Sequence, residues 1–190
     1  MPDCSVVRKS WGELTTNDLY SFLKLRTDVF YLEQKVDDEE LDVRDLEPGT
    51  EHYWISDEFG AAAYLRVLVD ETASHLDARH VIGRVVVRKN RRGEGLAQVL
   101  MRAVVDAHGD DAMVLHAQVY AQSLYAKSGF EAFGDAYSEA GIDHISMYRA
   151  GAVQANGAAQ SADAGVVADA DAAASDQPAE DIRSGIDIPR

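Results

Sequence analysis

The sequence predicts an α/β domain, a mixed β-sheet with helices on its faces in the order β-α-β-β-β-α-β-α-β-β. Three observations carry this. Apolar runs of strand length alternate with stretches whose apolar residues recur at helical spacing. A β-branched run, Val81 to Val87, leads through a glycine turn into an amphipathic stretch. The alternation stops after Arg149, where the composition changes abruptly.

Taken in order, Cys4 to Lys9 reads as a first strand. Thr15-Thr16-Asn17-Asp18 offers N-cap residues for a helix in which Leu19, Phe22, Leu23 and Phe30 share a face, ending near Glu33. An acidic stretch, Asp37 to Glu47, closes at the turn signal Pro48-Gly49. His52 to Ser56 and Ala61 to Val69 read as a hairpin around Asp57-Glu58-Phe59-Gly60, and a polar loop runs on to His80. The run Val81 to Val87 suits a strand buried on both faces. Leu96 to His108 places Ala97, Leu100, Met101 and Val104 on one helical face. Met113 to Gln118 is an apolar strand, and Val119 to Lys127 a helix closed by Ser128-Gly129. Phe130 to Tyr137 and Ile142 to Tyr148 form a last pair around Glu139-Ala140-Gly141. The expected domain spans 1–149. Residues 150–190 read as a disordered acidic Ala/Asp-rich tail: residues 151–190 hold seven acids, two arginines and no aromatic residue, too little apolar surface to offset ordering.

The 190 residues are 46% hydrophobic, ample for one core, and carry a formal charge of −15. That charge argues against nucleic acid and against an anionic membrane, since both need a basic surface. The single cysteine, Cys4, allows no internal disulfide and reads as an incidental thiol. No signal peptide and no run approaching the roughly 18 apolar residues of a membrane span are read, so the cytoplasm is the expected location. Oligomeric state is not legible, a homodimer being one option.

The sign of the charge reverses locally. Arg88, Lys89, Arg91 and Arg92 precede Gly93-Glu94-Gly95-Leu96-Ala97-Gln98, at the start of a helix. First-turn amides have no intrahelical acceptor, and the helix dipole adds positive charge. Glycines let an anion approach the backbone. The turn therefore suits a pyrophosphate. It is not a dinucleotide fingerprint, because a third glycine is missing and Arg88 to Arg91 separate it from the strand. No P-loop lysine-serine or lysine-threonine pair is present. An ordinary basic turn is the plainer alternative.

Arg92-x-x-Gly95-x-Ala97, with Val85-Val86-Val87 upstream and Tyr125-Ala126-Lys127-Ser128-Gly129-Phe130 downstream, resembles the signature of the GCN5-related N-acetyltransferase (GNAT) superfamily. Further segments resemble its ElaA-like subgroup: Glu13 to Thr16, Leu25-Arg26-x-x-Val29-Phe30-x-x-Glu33-Gln34, Ile82 to Val87, Ala117-Gln118 and Gly141-Ile142-x-His144-Ile145-x-Met147. Two positions depart from many relatives, Ala97 in place of Gly and Asp143 in place of Pro. The resemblance implies the GNAT acyl-CoA N-acyltransferase fold and an acetyl-CoA-dependent N-acetyltransferase acting on a primary amine. It implies pantetheine pairing along Val85, Val86 and Val87 and pyrophosphate on the amides of Arg92, Gly93, Glu94, Gly95, Leu96, Ala97 and Gln98. Gln118 stands where relatives often carry Asn, at the cofactor side of its strand. Tyr125 matches the acid that protonates the departing thiolate. The base stays open among Glu33, His116, Glu139 and His144.

Arg26 falls on the apolar stripe of the first helix and reads as one half of a buried ion pair. The acidic stretch fits no EF-hand register, so no metal site is expected there, and a solvated acidic face is the leading reading. A CoA-binding module without catalysis, or an interaction protein using its tail, are the competing functions.

Overall fold

In the computed structural model the described residues are 5–36 and 38–152. Cys4 and the tail beyond residue 152 lie outside them. The elements follow the expected order: β1 (Val7–Ser10), α1 (Thr16–Arg26), β2 (Glu51–Asp57), β3 (Gly60–Val69), β4 (His80–Val87), α2 (Leu96–His108), β5 (Met113–Gln118), α3 (Gln122–Ala126), β6 (Glu131–Glu139) and β7 (Ile142–Arg149). The seven strands form one sheet in the order β1-β2-β3-β4-β5-β7-β6. Only β4 and β5 run parallel, and α2 crosses between them.

Helix α1 starts where the sequence places its caps. The Thr15 hydroxyl accepts from the Asp18 amide at 3.1 Å, and the Asp18 carboxylate accepts from the Thr15 amide at 3.0 Å. The α-helix does not continue unchanged to Glu33: beyond Arg26 the chain runs on as a π-helix, Thr27–Glu33. Similarly, the expected helix from Val119 to Lys127 is a 3₁₀ turn, Val119–Ala121, followed by the short α3.

Two apolar layers hold the sheet. On one face Leu96, Leu100, Met101 and Val104 of α2 pack on Tyr53, Ile55, Leu65, Ile82, Leu115, Ile145 and Met147. On the other, Phe22, Leu25 and Val29 cover Trp54, Tyr64 and Val86. Phe22 stacks between His52 and Tyr64, with centroids 5.2 and 4.6 Å away. As expected, β4 buries residues on both faces, Ile82 in the α2 layer and Val86 in the α1 layer, while its other residues are half-buried. A bulge interrupts it: Tyr64 pairs with Val86 while Arg66 pairs with Gly83, so β4 carries one extra residue, and Arg84 sits at φ +53°. The parallel pairing with β5 ends at Ile82 and Leu115, and the two strands part beyond it.

The acidic stretch is not a solvated face. Fully buried Arg26 donates to both Asp45 carboxylate oxygens at 2.9 Å and to Glu40 at 2.5 Å. Buried Arg66 bonds Asp42 and, at 3.0 Å, Asp45. Arg84, at the bulge, pairs with Glu40 at 2.9 Å and Asp42 at 3.2 Å. Three carboxylates of the loop thus neutralise three arginines from α1, β3 and β4. Burial alone would raise the Asp45 pKa; the charges and hydrogen bonds of Arg26 and Arg66 outweigh it and hold the carboxyl below its usual range.

Breaking this cluster strands buried arginine. Asp45→Asn is expected to cost about 3–5 kcal/mol, measured by urea unfolding. Asp45 is harder to protonate folded than unfolded. Its contribution is therefore complete above the unfolded carboxylate pKa of about 3.9 and is lost as the pH falls toward the lower folded value. A pH series of unfolding midpoints should show that acid-side loss in the native chain and a shallower one in Asp45→Asn.

Candidate functional site

Where β4 and β5 part, the glycine turn closes one end of the opening. Gly93 and Gly95 adopt φ +81° and +79°, the left-handed region that glycine enters without a Cβ penalty. Gly95 is the N-cap of α2 and offers no side-chain cap. The first helical bond runs from the Val99 amide to the Gly95 carbonyl at 3.1 Å. The amides of Leu96, Ala97 and Gln98 precede it, in the turn that has no intrahelical acceptors. A cavity of about 370 Å³ opens beside them, lined by Val87, Arg91, Arg92, Gly93, Gly95, Leu96, Ala97, Gln98, Leu124 and Lys127. A Cβ built on Gly93 meets no atom within 4 Å. The cradle is thus open space over a row of donors.

Seven of the expected cofactor residues share this cavity: Val87, Arg92, Gly93, Gly95, Leu96, Ala97 and Gln98. Four do not line it. Val85 and Val86 lie further down β4, and the Val86 side chain packs in the α1 layer. Glu94 turns its carboxylate to Arg91, with both oxygens 2.9 Å from Nε. Gln118 lies across the opening, at the end of β5.

The basic run is largely engaged within the protein. Arg88 and Arg91 both donate to Asp57 in the β2–β3 turn, and Arg92 makes a two-point pair with Glu33 at 2.6 and 3.0 Å. The positive charge read from the sequence is therefore offset by Asp57, Glu94 and Glu33. Lys127, which lines the cavity, was missed by sequence reasoning; it sits inside the Tyr125 to Phe130 segment, but no spacing rule singles it out.

Glu33 and Gln34 straddle the opening. Glu33 holds Arg92 on the α2 side, while the Gln34 side chain accepts from the Gln118 amide at 3.3 Å on the β5 side. Gln118 also accepts from Tyr120 at 2.5 Å. Because its carboxylate bonds Arg92, Glu33 has its pKa lowered and stays ionised.

The remaining polar groups form a patch on the β5–β7 pair. His144 pairs in register with Gln118, and His116 with Ser146. His144 donates from Nδ1 to the Ile142 carbonyl at 2.8 Å, so its Nε2 carries the lone pair. His116 Nδ1 lies 2.8 Å from the Tyr137 hydroxyl and 3.2 Å from that of Ser146, two groups that can each donate or accept. Glu139 is exposed at the hairpin end. Tyr125 is 7% exposed, packed with the α2 layer, and burial pushes its hydroxyl up to about 12. Sequence reasoning missed Tyr137 and Ser146, because a register bulge between Phe133 and Tyr137 decides what they face.

A sheet that splays at a bulged strand, with a left-handed glycine turn capping the next helix, defines an acyl-CoA-binding transferase architecture. The family model described as an acetyltransferase (GNAT) domain matches residues 39–150. The chain belongs to the GNAT superfamily, and within it to the ElaA-like subgroup. Protein ElaA of Escherichia coli is 37% identical over 144 residues, covering 73% of this chain and 91% of that one. A UPF0039 protein of Mycobacterium tuberculosis is 35% identical over 151 residues, covering 78% of this chain and 95% of the relative. Among solved structures, an acyl-CoA N-acyltransferase from Pseudomonas aeruginosa superposes with a TM-score of 0.69 at 37% identity, covering 77% of this chain and 99% of that one. The chain is an acyltransferase by family, and the GNAT fold binds acyl-CoA. The site's chemistry suits such a ligand: first-turn amides, an uncrowded glycine and Lys127 line one cavity.

Gly93→Ala tests the cradle. A side chain at φ +81° costs roughly 1 kcal/mol of strain and puts a methyl into the cavity. Far-UV circular dichroism should be unchanged, while acyl-CoA binding measured by calorimetry should weaken at least about tenfold, the equivalent of ~1.4 kcal/mol.

Proposed function

We propose that the chain is an acetyl-CoA-dependent N-acetyltransferase acting on a primary amine of a small molecule or peptide, by direct attack within a ternary complex. The observation that carries this reading is the row of Leu96, Ala97 and Gln98 amides at a cavity that reaches Val87, the end of β4 beyond its pairing with β5. Acetyl-CoA would supply an activated thioester. The turn from Arg92 to Gln98 would hold its pyrophosphate, and the backbone of Val85 to Val87 would hold its pantetheine arm. A β4 amide, that of Val86, would polarise the thioester carbonyl.

His144 is the base that the geometry favours. An alkylamine is mostly protonated near pH 7, with a pKa near ~10.4, so attack needs a proton acceptor. Glu33 is committed to Arg92, His116 Nδ1 is engaged by the Tyr137 and Ser146 hydroxyls, and Glu139 is exposed. His144 alone of these four has its tautomer set to leave Nε2 free, beside the Gln118 end of β5. Glu33 in this reading is a positioning residue that holds Arg92 and, with Gln34, the two sides of the cleft.

Tyr125 serves the departing thiolate. A hydroxyl pushed to about 12 stays protonated across the working pH range and is always available as a donor. A thiol near ~8.5 is the stronger acid, so full transfer from Tyr125 is uphill by roughly three units. Its contribution is a hydrogen bond that stabilises the charge as it develops.

Thiol release from acetyl-CoA across a panel of amines, polyamines, amino acids and peptides tests the activity. Turnover on at least one class is expected; none, despite acetyl-CoA binding, would favour a non-catalytic CoA-binding module. On the amine found, Tyr125→Phe and His144→Gln should each lower kcat about 10²-fold or more, with acetyl-CoA affinity within a few-fold. A His144→Gln enzyme of native kcat returns the base to the other candidates.

A further inference from the structure

The ends of β4 and α2 remote from the glycine turn bring together His80, His108 and Asp111. His80 opens β4 and His108 closes α2. Asp111 lies in the turn that follows, where its amide donates to the His108 carbonyl at 3.0 Å. This folds the Asp111 side chain back over the two rings. Its Oδ2 stands 3.9 Å from His80 Nε2 and 3.9 Å from His108 Nδ1. One ligand atom from each residue lies within 4.8 Å of the other two. The rings are 5.0 Å apart and tilted by 40°.

These separations are too long for hydrogen bonds. They are close to those of metal ligands: donors at about 2.05 Å from a tetrahedral ion lie roughly 3.4 Å from one another. A shift of about half an ångström by Asp111, on a turn and half exposed, brings it to that range, and rotation of the two rings, whose ligand atoms lie within 4.8 Å, completes the closure.

A second feature points the same way. Glu51 accepts from His108 Nε2 at 2.8 Å and from the Tyr53 hydroxyl at 2.8 Å. Paired with the Glu51 side chain through Nε2, the neutral His108 ring has its lone pair on Nδ1, the atom facing Asp111. A carboxylate behind an imidazole, fixing its tautomer and raising its basicity, is the arrangement that supports histidine metal ligands.

We propose that His80, His108 and Asp111 bind one divalent d-block cation, zinc by ligand chemistry, with solvent completing the coordination. Two imidazoles and one carboxylate suit zinc, whereas magnesium and calcium take oxygen ligands. The site is structural. The length of β4, from His80 at this site to Val87 at the acyl-CoA cleft, separates the two at about 3.3 Å per residue. It ties the end of α2 and the turn before β5 to the start of β4, where the parallel pairing begins at His80 and Met113.

The full chain, stripped of metal with chelator, is titrated with zinc chloride by calorimetry alongside Asp111→Asn and His80→Gln. One saturable site is expected in the native chain, weakened at least about tenfold in each variant, with no comparable site for magnesium. Zinc should raise the Tm of the native chain but not that of Asp111→Asn, and acyl-CoA affinity should be the same in all three. Cobalt(II) provides a readout of geometry, through the intense visible absorption of a four-coordinate ion, lost in Asp111→Asn. No saturable zinc site in the native chain, or zinc binding unchanged by both substitutions, overturns the assignment and leaves His80, His108 and Asp111 as a charge pair only.

Discussion

The divergence of β4 from β5 is the constraint on which the rest of the molecule depends. Parallel strands normally continue their ladder to the end of the shorter one. Here the ladder stops at Ile82 and Leu115, because one extra residue in β4 turns it away. The extra residue brings Arg84 to a left-handed φ, which a residue with a Cβ adopts only when its surroundings hold it there. Glu40 and Asp42 hold it. The same two carboxylates, with Asp45, neutralise Arg26 and Arg66, so the loop, α1, β3 and the bulge are one electrostatic unit. The cleft is open because the bulge is stable, and the bulge is stable because three buried or half-buried arginines find their counter-charges beside it.

The cleft's two ends show how one fold separates tasks. At the α2 end, backbone amides and left-handed glycines provide fixed donors that do not depend on side-chain rotamers. At the β5–β7 end stand polar side chains held by neighbours: His144 by the Ile142 carbonyl, which sets its tautomer, and His116 by Tyr137 and Ser146. Glu33 and Gln34 connect the two ends across the gap. Charge here is arranged rather than accumulated. Most of the basic residues beside the cradle already have partners, so they shape the turn more than they attract an anion, and Lys127 with the amides is left for that task.

Much of the fold was legible because it rests on local rules. The order of ten elements followed from apolar periodicity, the α1 start from Thr15 and Asp18, and the α2 cradle from Gly93 and Gly95, whose φ values admit few other residues. Arg26 was legible as a buried ion pair because a charge on an apolar stripe needs a partner. Its partners were not, since Glu40 and Asp45 reach it only through a loop whose path no local rule sets. The bulge in β4 was not legible for the same reason: it depends on the neighbouring strand, not on the residues of β4 alone.

By itself, then, the sequence determined the family, the sheet-and-helix order and the position of the glycine turn before α2, because glycine conformation, helix capping and apolar spacing act within a few residues. The tertiary structure alone decided the partners of the acidic stretch, the engagement of Glu33 by Arg92, the tautomer of His144, and the meeting of His80, His108 and Asp111. Each of these is a contact between segments distant in the chain. Its energy depends on separation, burial and direction in space, quantities that the order of residues does not contain.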